Sequence, residues 1–180
     1  MDSLKDRIQK SSRTMALITK VLCISVIIGL CIPITVLVWY AVAPNTNFLA
    51  LHGLGFYSST GQLVESTGEL IAEMFTIIVS GVFVLSILRI ANRIFHSIGI
   101  DVMPFSRENA NKLKKIAKVL LVYSIVEPIS KAGFYSSFVP EAQMQSSLNI
   151  VSIILAFVFF FVSVVFAYGA ELQRQFDETL

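Results

Sequence analysis

Ser124, Glu127, Lys131 and Tyr135 recur every three to four residues within an otherwise apolar stretch. At about 100° per residue they share one side of a helix. Glu127 and Lys131 stand at i and i+4 with the acid first, the better order for pairing. An isolated charge in hydrocarbon costs about 2.5–3.5 kcal/mol on the insertion scale, so this side must turn toward protein. Pro128 lies between the charges and has no N–H for the carbonyl of Ser124, which predicts a kink and a freed acceptor beside them. In the preceding apolar stretch, Glu69, Glu73, Thr76 and Ser80 also share a face. Glu73 and Lys131 enter from the same side to similar depths, which predicts one cluster of Glu73, Glu127 and Lys131. Ionised, it carries one net negative charge and suits a cation or a proton. Glu73, Ser124, Glu127, Lys131 and Tyr135 are thus the candidate ligand or ion residues. The same residues equally fit structural glue, a self-neutralised pair holding two helices together, with Glu73 snorkelling to the interface. Both readings stay open at the level of sequence.

Other chemistry finds no foothold. His52 and His96 fall on opposite sides of the expected membrane and cannot share a metal. No Cys–His cluster has ligand spacing. No phosphate-cradling glycine loop or nucleophile elbow occurs. A non-enzymatic protein without cofactor or metal is expected. Cys23 and Cys31 are eight residues apart, about 12 Å of helical rise. That exceeds the roughly 7 Å Cα separation a disulfide tolerates, so they read as packing residues.

Composition says what must position these groups. Of 180 residues, 55% are hydrophobic and 14% charged, against about 25% charged in a soluble domain. Mean hydropathy is +0.75. The net charge of +2 does not suggest direct nucleic-acid binding. Lipid is the expected solvent and the bilayer the first partner. Four spans are expected, at about 17–43, 70–94, 116–138 and 148–170, forming an all-α four-helix membrane bundle in a single domain. The first is too long for a signal-peptide core, and Trp39 and Tyr40 fit an aromatic belt. The third is the least apolar, because it holds Glu127, Pro128 and Lys131.

Lys and Arg crowd the N-terminal segment and the loop at 95–115, whereas residues 44–69 and 139–147 have neither. By the positive-inside rule both termini and the middle loop are cytoplasmic. In that loop Ser106 is a good N-cap, Pro104 disfavours helix just before it, and Glu108 suits the first turn. The basic residues Arg107, Lys112, Lys114, Lys115 and Lys118 face an acidic helical tail at 171–180, with Glu171, Asp177 and Glu178. Pairing between loop and tail is one reading. A docking surface for a cytoplasmic protein is another, and attraction of the loop to anionic lipid a third. On the fourth span Ser152, Ala156, Ser163 and Ala167, with Asn149 and Ala170, form a seam of small residues opposite Phe157, Phe161, Val164 and Val165. The seam fits packing inside the bundle or a face between two copies of the chain.

The middle loop carries a motif: Pro104, Phe105 and Ser106, then Glu108, Asn109 and basic residues, then Ile116 and Ala117 before the third span. Gly169, Leu172, Gln173, Asp177 and Thr179 complete it near the end. These residues resemble the bacterial membrane proteins grouped as domain of unknown function 2975. Gln175 and Phe176 depart from the usual Glu-Asn of that closing segment. The resemblance implies a multi-pass protein of the bacterial cytoplasmic membrane with four spans and no assigned activity. It also implies a neighbouring helix-turn-helix transcription regulator as partner. The expected function is a membrane regulator or sensor. The alternatives are a small oligomeric transporter or channel component using Glu73, Glu127 and Lys131, and a structural or assembly factor of a membrane complex.

Overall fold

The computed structural model describes residues 2–43, 64, 66–101, 105–139 and 148–178. Most of 44–69 and 139–147 therefore lies outside the described residues, as do His52, Pro104, Thr179 and the side chain of Asp177. The described residues form four helices: α1 (Asp2–Val42), α2 (Thr67–Asp101), α3 (Arg107–Phe138) and α4 (Ile150–Glu178). α1, α2 and α4 are long and apolar enough to cross a membrane, the mark of a membrane protein. α3 does not meet that description; Glu127 and Lys131 dilute its apolar run.

The helices reach further than the expected spans. α1 starts at Asp2, and its 41 residues make about 60 Å, twice the hydrocarbon thickness. The loop expected at 95–115 is mostly helix, because α2 continues to Asp101 and α3 begins at Arg107. The extension of α2 is held by apolar burial: Ile98 packs against the cluster of Ile94, Leu113, Ile116, Leu120 and Ala156. Ser106 caps α3 as expected, in an extended conformation (φ −132°, ψ 149°), accepting from the Asn109 N–H at 3.1 Å. α3 continues through Pro128.

Extensive contacts run between sequence neighbours: α1 on α2, α2 on α3, α3 on α4. Successive helices are antiparallel, since Gln9 meets Gly99, Ser97 meets Asn109, and Arg107 meets Glu171. α1 turns one stripe to α2, through Gln9, Ser12, Ala16, Thr19, Cys23, Val26 and Leu30. The alternating steps of three and four match a coiled-coil seam. Polar contacts fix its lower half: Ser12 Oγ donates to the Phe95 carbonyl at 2.5 Å, and Asn92 Nδ2 to the Ala16 carbonyl at 2.7 Å. Cys31, expected to pack, is exposed beside that stripe, whereas Cys23 is half-buried; both are free thiols.

On α4, Ser152, Ala156 and Ser163 are buried, while Phe157 and Phe161 are exposed. Small residues therefore face α3 and bulky ones the surroundings. Ala167 is exposed, because the buried stripe steps from Ser163 to Phe166 and Ala170 and passes it by. Asn149 Oδ1 accepts from the Ser152 N–H at 3.1 Å and caps α4.

Candidate functional site

The sequence offers Lys131 two partners, Glu127 on its own helix and Glu73 on α2. In the structure the ion pair is with Glu73: Lys131 Nζ lies 3.7 Å from Glu73 Oε1, and both side chains are largely buried. Tyr135 donates its hydroxyl to the same oxygen at 2.7 Å, and the Lys131 ammonium sits 5.7 Å from the Tyr135 ring centre. The carboxylate thus receives a charge-assisted hydrogen bond and a counter-charge, which buried carboxylates require. Glu73 is 2% exposed, so it is buried between helices and does not snorkel. An i, i+4 spacing makes an intrahelical pair available. Here the lysine turns to α2, where a buried acid has more to gain from a cation than a half-exposed one.

Position is set by close packing at this end of α2 and α3. Phe75 stacks on Phe134 and Phe138, with ring centres 5.1 and 5.8 Å apart. Gly68 lies so near the carbonyl of Phe138 that a Cβ there would collide with backbone. The residue must be glycine for the two backbones to approach this closely.

Next to the ion pair lies a cavity of about 450 Å³, walled by three helices. Glu73, Thr76 and Ser80 line it from α2, Tyr123 and Glu127 from α3, and Gly29 and Leu30 from α1. Ile77 and Val84 line it too and are exposed, so it opens to the outer surface of the helices. Of the second-helix face read from the sequence, Glu73, Thr76 and Ser80 form cavity wall, and Glu69 does not line it. Glu127 forms no ion pair among the described residues. Tyr123 extends its hydroxyl to Ser80 Oγ at 3.4 Å, a long contact, and its ring packs on Phe83 at 5.3 Å. Thr76 donates to its own helix at the Ala72 carbonyl. Ser124 is buried beside the site, but its hydroxyl donates to the Leu121 carbonyl, so it offers no free donor to a ligand.

Two contributors escaped the sequence reading. Tyr123 sits one residue from Ser124 and was hidden by the emphasis on charge. Gly29 precedes Pro33 by four positions, and proline has no N–H to return to the Gly29 carbonyl. A proline inside an apolar span was the available signal for an α1 contribution.

At the opposite end the basic residues divide their work. Arg107 pairs with Glu171 at 2.8 Å and so ties the start of α3 to α4. Glu171 also binds Arg174 at 2.6 Å, and Arg174 binds Glu178 at 2.9 Å. Arg174 and Arg107 together hold the Glu171 carboxyl down at about 2. Lys112 pairs with Glu108 at 2.8 Å within α3. Lys114 Nζ lies 5.8 Å from the Phe160 ring centre of α4, and Lys115 and Lys118 are exposed. Phe105 lays its ring against Gly169 and packs on Phe166 at 5.1 Å. The loop motif and the glycine near the chain's end therefore meet in space. Asn109, fully buried, accepts from Ser97 Oγ at 2.9 Å and links α3 to α2.

Among the described residues, no group of His, Cys, Asp and Glu is placed to hold a metal. No family model, curated protein or solved structure matches the chain, so the resemblance read from the loop motif rests on those residues alone.

Proposed function

We propose that this chain is a non-enzymatic regulator or sensor of the bacterial cytoplasmic membrane. Its four helices cross the bilayer as a bundle with both termini inside, α3 sheltered between α2 and α4. The reading rests on one observation above all: a buried carboxylate, Glu73, ties α2 to α3 through Lys131 and Tyr135 beside a cavity lined by a second carboxylate, Glu127. A cation, proton or polar ligand at Glu127 would alter the charge balance that joins these two helices. The same helices carry Arg93, Lys112, Lys115 and Lys118 at the end that would face the cytoplasm. A helix-turn-helix regulator is the proposed partner there. Glu171 and Glu178 are already engaged by arginines of this chain, which favours the basic surface over the tail as the contact.

The test is co-purification of the full-length protein with the regulator encoded beside it, in several detergents. Binding that weakens in Lys115→Glu/Lys118→Glu is the expected result. Absence of binding in every detergent would count against the reading. The cavity also supports a second reading, a small oligomeric transporter or channel component. Flux in proteoliposomes that disappears in Glu127→Gln would favour it, and flux indifferent to that change would remove Glu127 from the path.

A further inference from the structure

A second cavity, of about 610 Å³, lies between α2 and α3 at the far end from Glu73. That volume is within the usual range of ligand sites. Its wall is cationic. Arg93 and His96 come from α2, and Asn111, Lys112 and Lys115 from α3, with Ile90 as an apolar floor. One carboxylate, Glu108, shares the wall and is bound to Lys112 at 2.8 Å. That contact holds the Glu108 carboxyl below its ordinary range. Three cations against one carboxylate leave two positive charges. Arg93 and Lys115 make no ion pair among the described residues.

Two hydrated cations on a helix surface would need no explanation. Here they stand on the two helices that wall one cavity, and those helices are tied together. Buried Asn109 joins the helices through Ser97 at 2.9 Å, and Ile94, Leu113 and Ile116 pack directly beneath. Like charges gathered at one cavity repel, and an anion between them relieves the repulsion. The geometry points to a phosphomonoester as the ligand of this cavity, carried either by a membrane lipid or by a soluble compound. A phosphomonoester bears about −1.5 to −2 charges near neutral pH, which matches two unmatched cations better than the single charge of a diester. Arg93 offers a planar fork for two phosphate oxygens, the lysines offer point charges, and His96 and Asn111 can add hydrogen bonds. This site is separate from the Glu73 cluster but shares Arg93, Lys112 and Lys115 with the basic surface proposed for the regulator; lost phosphate binding with co-purification intact overturns this site alone.

The experiment uses the full-length protein in phosphatidylcholine nanodiscs. One arm adds phosphatidic acid, a monoester. Another adds phosphatidylglycerol, a diester, at the same mole fraction. A third adds inorganic phosphate to the buffer alone. Lipid retained per protein by native mass spectrometry and the thermal midpoint are read in each. The wild type should retain phosphatidic acid over phosphatidylglycerol by roughly tenfold, and Arg93→Gln/Lys115→Gln should erase the preference. Arg93→Lys/Lys115→Arg keeps the charges and should retain the preference, which separates lost binding from lost folding. If inorganic phosphate alone raises the midpoint, soluble compounds also enter; if only phosphatidic acid does, the source is lipid. Both outcomes support the site. Equal retention of the two lipids with no response to phosphate would overturn it. So would a Lys118→Gln control, outside the cavity, that erases the preference equally.

Discussion

Tyr135 and Lys131, one helical turn apart on α3, converge on a single oxygen of Glu73, at 2.7 and 3.7 Å. The phenol supplies direction and the ammonium supplies charge. Removing the phenol leaves a buried acceptor short of its best donor. Tyr135→Phe should therefore cost about 1–2 kcal/mol, in line with unmade buried hydrogen bonds and with interhelical bonds in membranes. Reversible unfolding in mixed micelles measures it. A change under about 0.3 kcal/mol would mean that the lysine alone satisfies the carboxylate.

Lys131 and Glu127 should not behave as partners. Lys131→Met removes the counter-charge of Glu73 and should cost about 3 kcal/mol, as breaking a buried pair does. Glu127→Gln removes a carboxylate that pairs with nothing described and should shift stability by less than about 0.5 kcal/mol. The double variant should match Lys131→Met alone. A strong coupling between positions 127 and 131 in the same unfolding assay would restore the intrahelical pair.

Two glycines of the α2–α3 region offer a matched comparison. A methyl at Gly68 meets the Phe138 backbone, whereas at Gly133 nothing stands within 4 Å. Gly68→Ala should destabilise by about 1–3 kcal/mol through forced separation of the backbones. Gly133→Ala should be neutral, or stabilising by up to about 1 kcal/mol through helix propensity. Thermal midpoints of the two variants, measured side by side, decide this. Equal midpoints would show that the contact at Gly68 is loose.

The Arg107–Glu171 link should depend on pH in one direction. Glu171 lies past the apolar part of α4, and its folded-state pKa of about 2 is below its unfolded value. A depressed carboxyl contributes fully above the unfolded pKa and loses its contribution as pH falls through the folded one. Spin labels at Asn111→Cys and Gln173→Cys, with Cys23 and Cys31 replaced by Ser, report the α3–α4 distance. The distribution should be narrow from neutrality to about pH 4.5 and broaden toward pH 2. Arg107→Gln should broaden it throughout. A distribution that stays narrow in Arg107→Gln would assign the link to the Phe105–Gly169 packing instead.

Much of the architecture can be read directly from residue types. Apolar runs locate the helices, Ser106 marks the start of α3, and the small residues of α4 reveal its inward face. What escapes is whatever depends on the rotation of one helix against another. Matching depths on α2 and α3 bring Glu73 near Lys131, but spacing leaves Glu127 an equal candidate, and only the orientation of the helices selects Glu73. The contacts of Gln9, Ser12 and Asn92 were hidden because isolated polar residues near the ends of apolar helices look like solvated positions. Ala167 looked equivalent to Ala156 by size, but a stripe stepping by three and four selects Phe166. The extra length of α1 and α2 was hidden for a related reason: the start of α1 meets α2 through polar residues such as Gln9 and Ser12, and the end of α2 is apolar only on one side.

The one-sided attachment of α1 has a mechanical consequence. Its extensive contacts are with α2 alone, along a continuous stripe of three- and four-residue steps. Tension applied at the N-terminus would peel it like a zipper, one turn at a time, with Gln9, Ser12 and Asn92 letting go first. The Glu73 junction between α2 and α3 lies at the opposite end and would survive until the peel was nearly complete.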